Sequence, residues 1–261
     1  MAEWVWSWAS SPPFWHEADD RTDGWETEKN LNVSCEKCLL MATLGRFIRA
    51  KTITDAWQRG LGLIWRQGAE ITDERGTRIR ELLSLQVVVE DPYREMIPAQ
   101  YSWNEERLEE YAEQLLSGRN PGFEYTYGER LRAWHLPGMP AQDQIEQAIL
   151  RLRSSANTRR ATAVTWIVPV DMNKDEVPCM IVDDFKLRDG RLNLSIFFRS
   201  HDFAGAYPAN LYGLARLLQY VSREIGAEPG SISTTSSSAH IYEHDWDFVE
   251  KMLLGAGTDG V

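Results

Sequence analysis

Apolar residues recur at helical spacing over 54–67, where Trp57, Leu61, Ile64 and Trp65 gather on one side. The spacing returns over 103–116, with Leu108, Tyr111, Leu115 and Leu116 as the stripe and Asn104 placed to cap the first turn. Residues 143–153 predict a further helix. Residues 208–225 predict a longer one, with Leu211, Leu214, Leu217, Leu218 and Val221 inward and Gly226 as its stop. Strands are predicted over 81–90, 161–169, 180–187 and 191–199. The last two are joined by Asp189-Gly190, a dipeptide suited to a tight hairpin. Residues 73–76 read as a turn, 231–238 as a polar stretch, and 239–242 as a short strand. Helices and strands mix without regular alternation and without internal repeats, so the fold class is α+β.

Residues 1–50 are different. Trp4, Trp6, Trp8, Trp15 and Trp25 lie among Ser, Pro and Asp with no steady period. They read as a Trp-rich N-terminal extension, with residues 51–261 as the main domain. Cys35 and Cys38 form a lone CxxC, and His16 is the only other candidate ligand nearby. Tetrahedral zinc needs four ligands, so two structural thiols are the better reading and no metal is expected.

Composition narrows the function. The chain has 261 residues, 43% hydrophobic and 26% charged, as expected of a globular protein with a sizeable core. A formal net charge of −11 disfavours broad binding to nucleic acid or anionic membranes, although a local arginine cluster can still hold a small anion. No apolar run spans a bilayer, the N-terminus lacks the features of a secretory signal, and three cysteines make no disulfide framework. The expected compartment is the cytoplasm. Walker, G-x-S-x-G, G-x-G-x-x-G and HExxH signatures are absent.

The chemistry gathers in the second half. Across a hairpin turning at Asp189-Gly190, paired residue numbers sum to about 379, which sets Cys179 opposite Arg199 and Ser200. A guanidinium beside a thiol favours the thiolate, so the Cys179 pKa is expected to be pulled down. Alone, a cysteine after a proline is more often structural; the facing arginine makes the two readings about even. Arg159-Arg160 and Arg75 offer forks suited to phosphate, against the plain alternative of solvated charges. His240 and Tyr242 share one face of a strand, either to meet sugar hydroxyls or as satisfied buried polar groups. Asn210, early in its helix, either caps it or presents an amide matching the O4/N3–H edge of uracil.

Taken together these segments resemble the thymidylate synthase family, most nearly its short archaeal members. Pro178-Cys179 is similar to its proline–cysteine nucleophile motif. Arg199-Ser200-His201-Asp202 with Asn210 resembles its arginine–serine–x–aspartate segment and downstream asparagine. His240-Ile241-Tyr242 resembles its histidine–x–tyrosine motif. Arg159-Arg160 followed by Trp166, Pro169 and Asp171, and Tyr127-Gly128 with Arg132-Ala133-Trp134, match two further segments; residues 73–77 resemble its phosphate loop. The likeness runs from about Tyr125 to Trp246, and more weakly from Ile53.

The resemblance implies a mixed sheet with flanking helices and a two-fold dimer through the sheet face. It implies that Cys179 adds to C6 of dUMP and that a one-carbon unit passes to C5 from 5,10-methylenetetrahydrofolate or a methanopterin-type pterin. Arg75, Arg199 and Ser200 would hold the 5′-phosphate, with Arg159 and Arg160 lent by the partner. His240 and Tyr242 would hold the sugar, Asn210 the base and Asp202 the pterin, while Tyr127 would serve the water network that removes the C5 proton. There are departures. Met180 stands where the family has histidine, and only Glu110 offers itself for the glutamate near C5. Residues 255–261 lack the apolar closing tail. Water entry would then make a pyrimidine nucleotide 5-hydroxymethylase the runner-up. A non-catalytic nucleotide- or RNA-binding member is the alternative from another class.

Overall fold

The structure, a computed structural model, describes residues 44–135 and 138–255. Cys35, Cys38, His16 and the clustered N-terminal tryptophans lie outside the described residues, as do 256–261.

Among the described residues seven strands form one mixed sheet. These are β1 (Leu44–Ala50), β2 (Ala69–Thr72), β3 (Arg78–Val89), β4 (Thr162–Val164), β5 (Met180–Arg188), β6 (Arg191–Asp202) and β7 (Glu228–Tyr242). Their order is β1-β3-β7-β6-β5-β4, with β2 paired to β3 off this path. β1 lies parallel to β3 and β6 parallel to β7, and the remaining pairs are antiparallel. β1 falls inside the segment 1–50, so the sheet begins before the boundary drawn from composition.

The predicted helices form as α1 (Ile53–Gln67), α2 (Glu105–Ser117), α4 (Gln144–Ser154) and α6 (Tyr207–Ile225). The Asn104 side chain caps α2 by accepting from the Arg107 N–H, and Gly226 ends α6 in the left-handed region at φ 69°. α1 and α6 pack on the sheet, α2 and α4 on α6. Short α3 (Tyr127–Arg132), α5 (Val168–Asp171) and terminal α7 (Trp246–Gly255) complete the body. Among the described residues no helix is long and apolar enough to cross a membrane.

Two expectations are corrected. The strand over 161–169 is only Thr162–Val164; the chain then turns into α5. Pro169 lacks the N–H a ladder needs, and Asp171 takes the Ile167 N–H at 2.6 Å while pairing with Arg130 in the interior. Second, the polar stretch 231–238 is not separate from a short strand at 239–242. Both belong to β7, paired along its length with β3 and β6. Serine and threonine are held extended because ladders on both sides satisfy their backbone, which outweighs weak propensity.

The register separates two cross-sheet rows. Phe47, Gln86, Thr235, Phe197, Val182 and Val164 are neighbours on successive strands, and Phe47, Phe197 and Val164 are 57%, 40% and 38% exposed. The buried row runs Val87, Thr234, Ile196, Asp183, Ala163. Asp183 sits there between Ile196 and Ala163, and neither carboxylate oxygen has a partner. Burial pushes its pKa up to about 7.

That carboxyl makes stability depend on pH. The unfolded chain releases the Asp183 proton near its ordinary value of 3.8, whereas the folded chain keeps it to about 7. The folded state thus binds the extra proton between these limits, and stability falls as pH rises through that window. Asp183→Asn, which resembles the protonated form, is expected to match wild type near pH 4 and exceed it above pH 7. The gap should be a few kcal/mol, each tenfold in proton affinity being worth about 1.4 kcal/mol. Denaturant melts across the pH range check this; a gap that does not grow with pH contradicts it.

Candidate active site

The β5–β6 hairpin turns at Asp189 (φ 51°) and Gly190 (φ 75°), both left-handed as a type I′ turn requires. From Arg188↔Arg191 to Val182↔Phe197 the paired numbers keep the predicted sum. An irregularity between Met180 and Val182 then shifts the register by one, so Cys179 faces Arg199 and not Ser200, and the Arg199 N–H donates to the Cys179 carbonyl at 2.9 Å. The guanidinium curls back over the same segment. Its Nε donates to the Pro178 carbonyl at 2.9 Å, and one terminal nitrogen donates to the Val177 carbonyl at 2.8 Å and lies 3.6 Å from the Cys179 sulfur.

Cys179 and Arg199 lie in a 920 Å³ cleft with Arg75, Ser200, His240 and Tyr242. Arg75 comes from the turn between β2 and β3, where Asp73 Oδ1 accepts the N–H groups of Arg75 and Thr77. Its guanidinium pairs with Glu176 at 2.7 Å, and both side chains are exposed. His240 and Tyr242 share one face of β7, their rings meeting edge-on at 4.8 Å. Burial lowers the His240 pKa from the ordinary histidine value, against the opposing pull of Asp202, and so favours the neutral ring. Asp202 closes β6; its Oδ1 accepts the N–H groups of Ala204 and Gly205, each at 3.0 Å.

Behind the thiol lies a group of tyrosines. The Tyr127 hydroxyl accepts the Met180 N–H at 3.2 Å, and Tyr125 donates to the Val177 carbonyl at the same distance. Gly128 permits this placement: a Cβ there would stand 2.0 Å from the Gln114 carbonyl oxygen, so α3 can approach α2 this closely only with glycine. Arg130 and Asp171 form a buried two-point ion pair at 2.8 and 3.2 Å, and the guanidinium covers the Trp134 ring at 4.3 Å. The pair ties α3 to α5, and the sequence had pointed to Asp171 but not to its partner.

The thiol itself reverses one expectation. Burial pushes the Cys179 pKa up, and the pull of Arg199 in the other direction is the smaller effect, with Glu176 adding to the rise. The single arginine is shared with two carbonyls, so its charge is not reserved for sulfur.

Asn210 does not cap α6. Its Oδ1 accepts from the Tyr111 hydroxyl at 2.7 Å and its Nδ2 lies 3.3 Å from His201 Nε2. Arg159 and Arg160 are exposed and line no part of their own chain's cleft. Glu110 is also exposed and outside it. Among the described residues no group of three or more His, Cys, Asp or Glu could hold a metal ion.

Comparison with known proteins bears on the family. The family described as thymidylate synthase matches residues 64–256. A protein of Methanosarcina acetivorans named "Putative thymidylate synthase" is 61% identical over 213 residues, covering 81% of this chain and 96% of its own. One of the same name from Methanothermobacter thermautotrophicus is 42% identical over 221 residues, covering 79% and 97%. That of Methanocaldococcus jannaschii is 29% identical over 210 residues, covering 78% and 94%.

The thiol's environment predicts its reactivity. In a Cys35→Ser/Cys38→Ser background without nucleotide, alkylation of Cys179 should rise with pH about a midpoint above the ordinary thiol value. Arg199→Met should move the midpoint higher still, because the larger of the two favourable charges, those of Arg199 and Arg75, is lost. A midpoint below that of a free thiol would contradict the balance of burial over charge.

Proposed function

The chain belongs to the thymidylate synthase family, and from that premise we propose that it makes dTMP by transferring a one-carbon unit to C5 of dUMP through a covalent Cys179–C6 adduct. The observation that carries the proposal is the Cys179 sulfur 3.6 Å from Arg199 in a cleft that also holds Arg75, Ser200, His240 and Tyr242.

The 5′-phosphate is the remote handle. Arg75, Arg199 and Ser200 take it, Arg75 leaving Glu176; an exposed pair of that kind is worth about 1 kcal/mol or less and yields to a dianion. The phosphate thereby holds C6 against sulfur, so binding energy far from the reacting carbon orients the attack. His240 and Tyr242 hold the sugar hydroxyl, and Asn210 reads the base edge.

Sulfur adds to C6, and the C5–C6 electron pair moves to C5. C5 bonds to the one-carbon unit and loses its proton to water ordered at Tyr127; the carbon's bond to the pterin nitrogen breaks with its electron pair leaving on that nitrogen, the transferred carbon takes a hydride (or water, for a hydroxymethyl product), and the C6–sulfur bond breaks to release the Cys179 thiolate. The reduced pterin, 5,10-methylenetetrahydrofolate or a methanopterin-type analogue, supplies the carbon and, for a methyl product, the reducing hydride. Asp202 suits its N–H groups, since one carboxylate oxygen is anchored by two backbone amides and the other remains to accept.

The site is completed by a second copy of the chain. The outward row Phe47, Phe197, Val182 and Val164 supports a two-fold contact through the sheet face, and Arg159 and Arg160, remote from their own cleft, are lent to the partner's phosphate. The working protein is thus a homodimer placed in the cytoplasm.

The covalent step is tested with 5-fluoro-dUMP and the pterin donor. Wild type is expected to form an adduct detectable by mass. Cys179→Ala should form none while binding dUMP within about tenfold of wild type. An adduct surviving in the variant overturns the step. Product mass from dUMP also separates methyl from hydroxymethyl transfer.

The shared site is tested by mixing inactive Arg159→Glu with inactive Cys179→Ala after reversible dissociation. Random pairing makes half the dimers mixed, and one site in each is intact, so about a quarter of all sites should recover. No recovery despite verified exchange would place the arginines outside the site.

A further inference from the structure

The proposed reading of the base by Asn210 leaves open which way its amide points. Uracil needs a donor toward O4 and an acceptor toward N3–H. Cytosine needs the reverse, because its N4 amine donates and its N3 accepts. The two orientations differ by a flip of one nearly symmetric group, so an unrestrained asparagine would read both bases.

Here the amide is restrained from both sides. Tyr111, on α2, donates its hydroxyl to Asn210 Oδ1 at 2.7 Å. His201, the residue between Ser200 and Asp202, presents Nε2 at 3.3 Å to Asn210 Nδ2, and its Nδ1 lies 2.9 Å from Ser236 Oγ. The imidazole is 2% exposed and stacks on Phe198 at 3.8 Å, with Phe203 and Tyr207 on its other sides. Burial holds its pKa well below the ordinary histidine value, so it is neutral and one ring nitrogen is free to accept.

The two orientations are unequal. With Oδ1 toward Tyr111, every group has a partner: the phenol donates, the amide accepts and donates, Nε2 accepts, and Nδ1–H donates to Ser236. With the amide flipped, Nδ2 would donate to the phenol oxygen, and the phenol hydrogen would lose the one acceptor it has among the described residues. His201 and Ser236 can reverse together at little cost, by tautomer exchange and hydroxyl rotation. The phenol of Tyr111 cannot. Burial and the neighbouring charges keep it protonated. An unsatisfied buried hydroxyl disfavours the flipped state by roughly tenfold or more.

We propose that Tyr111, with His201 behind it, is the specificity-determining positioning pair that locks the Asn210 amide in its uracil-reading orientation and so excludes cytosine nucleotides. The inference rests on the reading of Asn210 as the base contact.

Tyr111→Phe keeps the ring that packs edge-on against Trp103 and removes only the hydroxyl. Calorimetric binding and kcat/KM are measured for dUMP and dCMP with wild type, Tyr111→Phe, His201→Phe and Asn210→Asp. Tyr111→Phe is expected to lower the dUMP:dCMP ratio about tenfold. Most of the change should come from tighter dCMP binding, with kcat on dUMP within about threefold of wild type. His201→Phe should lower the ratio in the same direction, and it decides the matter if Tyr111→Phe does not fold. A purely structural role would lower the melting temperature and leave the ratio unchanged. If Asn210→Asp shifts the ratio toward dCMP and neither Tyr111→Phe nor His201→Phe does, the lock is overturned while base reading stands. If none of the three shifts it, base reading by Asn210 fails and the lock fails with it.

Discussion

One guanidinium organises the open end of the β5–β6 hairpin. Arg199 donates to the carbonyls of Val177 and Pro178 and still approaches the Cys179 sulfur, so the peptide segment and the thiol are held by the same group. Those contacts require Arg199 and Cys179 to be paired residues. The pairing follows from the Asp189-Gly190 turn and from the irregularity before Val182. A strand slip of one residue would send either side chain to the opposite face. The hairpin register is therefore a condition for the proposed chemistry as well as for the sheet.

The cleft is built from parts that need other parts to stand. β7 carries His240 and Tyr242 at its end, and it is extended only because β3 and β6 pair with it on both sides. β6 carries Arg199, Ser200 and Asp202 and hands over directly to the turn that starts α6, where Asn210 sits. Tyr127 reaches the Met180 amide because α3 lies against α2 at Gly128, and α3 is tied to α5 by Arg130 and Asp171. Burial costs accompany this. Asp183 has no partner, and the thiol loses more from desolvation than the shared arginine returns.

Much of the local structure was legible from residue order. Periodic apolar stripes marked α1, α2, α4 and α6 within a residue or two of their ends, helped by recognisable caps at Asn104 for α2 and Gly226 for α6, although α6 is buried all round over its first turns. The hairpin was readable because Asp-Gly accepts left-handed backbone, and counting outward from it set Cys179 opposite Arg199 and Ser200, between which the irregularity before Val182 decides for Arg199. The cysteine, the arginines and the His240–Tyr242 pair could be named for the same reason: their types and spacings carry a chemistry.

What residue order could not supply were the effects of distant neighbours. A serine-rich run became the central strand because two ladders satisfied its backbone. An apolar run stopped after Val164 because a buried arginine, forty-one residues earlier in the chain, claimed Asp171. The thiol's pKa rose because its burial depends on everything packed around it, while its one visible charge partner is divided among three contacts. Asn210 looked like a cap or a free reader. It is neither, since Tyr111 from α2 and His201 from β6 hold its two ends. Propensity and spacing act within a few residues. Desolvation, sharing of donors and the direction of a hydrogen-bond chain are set only when remote segments come together.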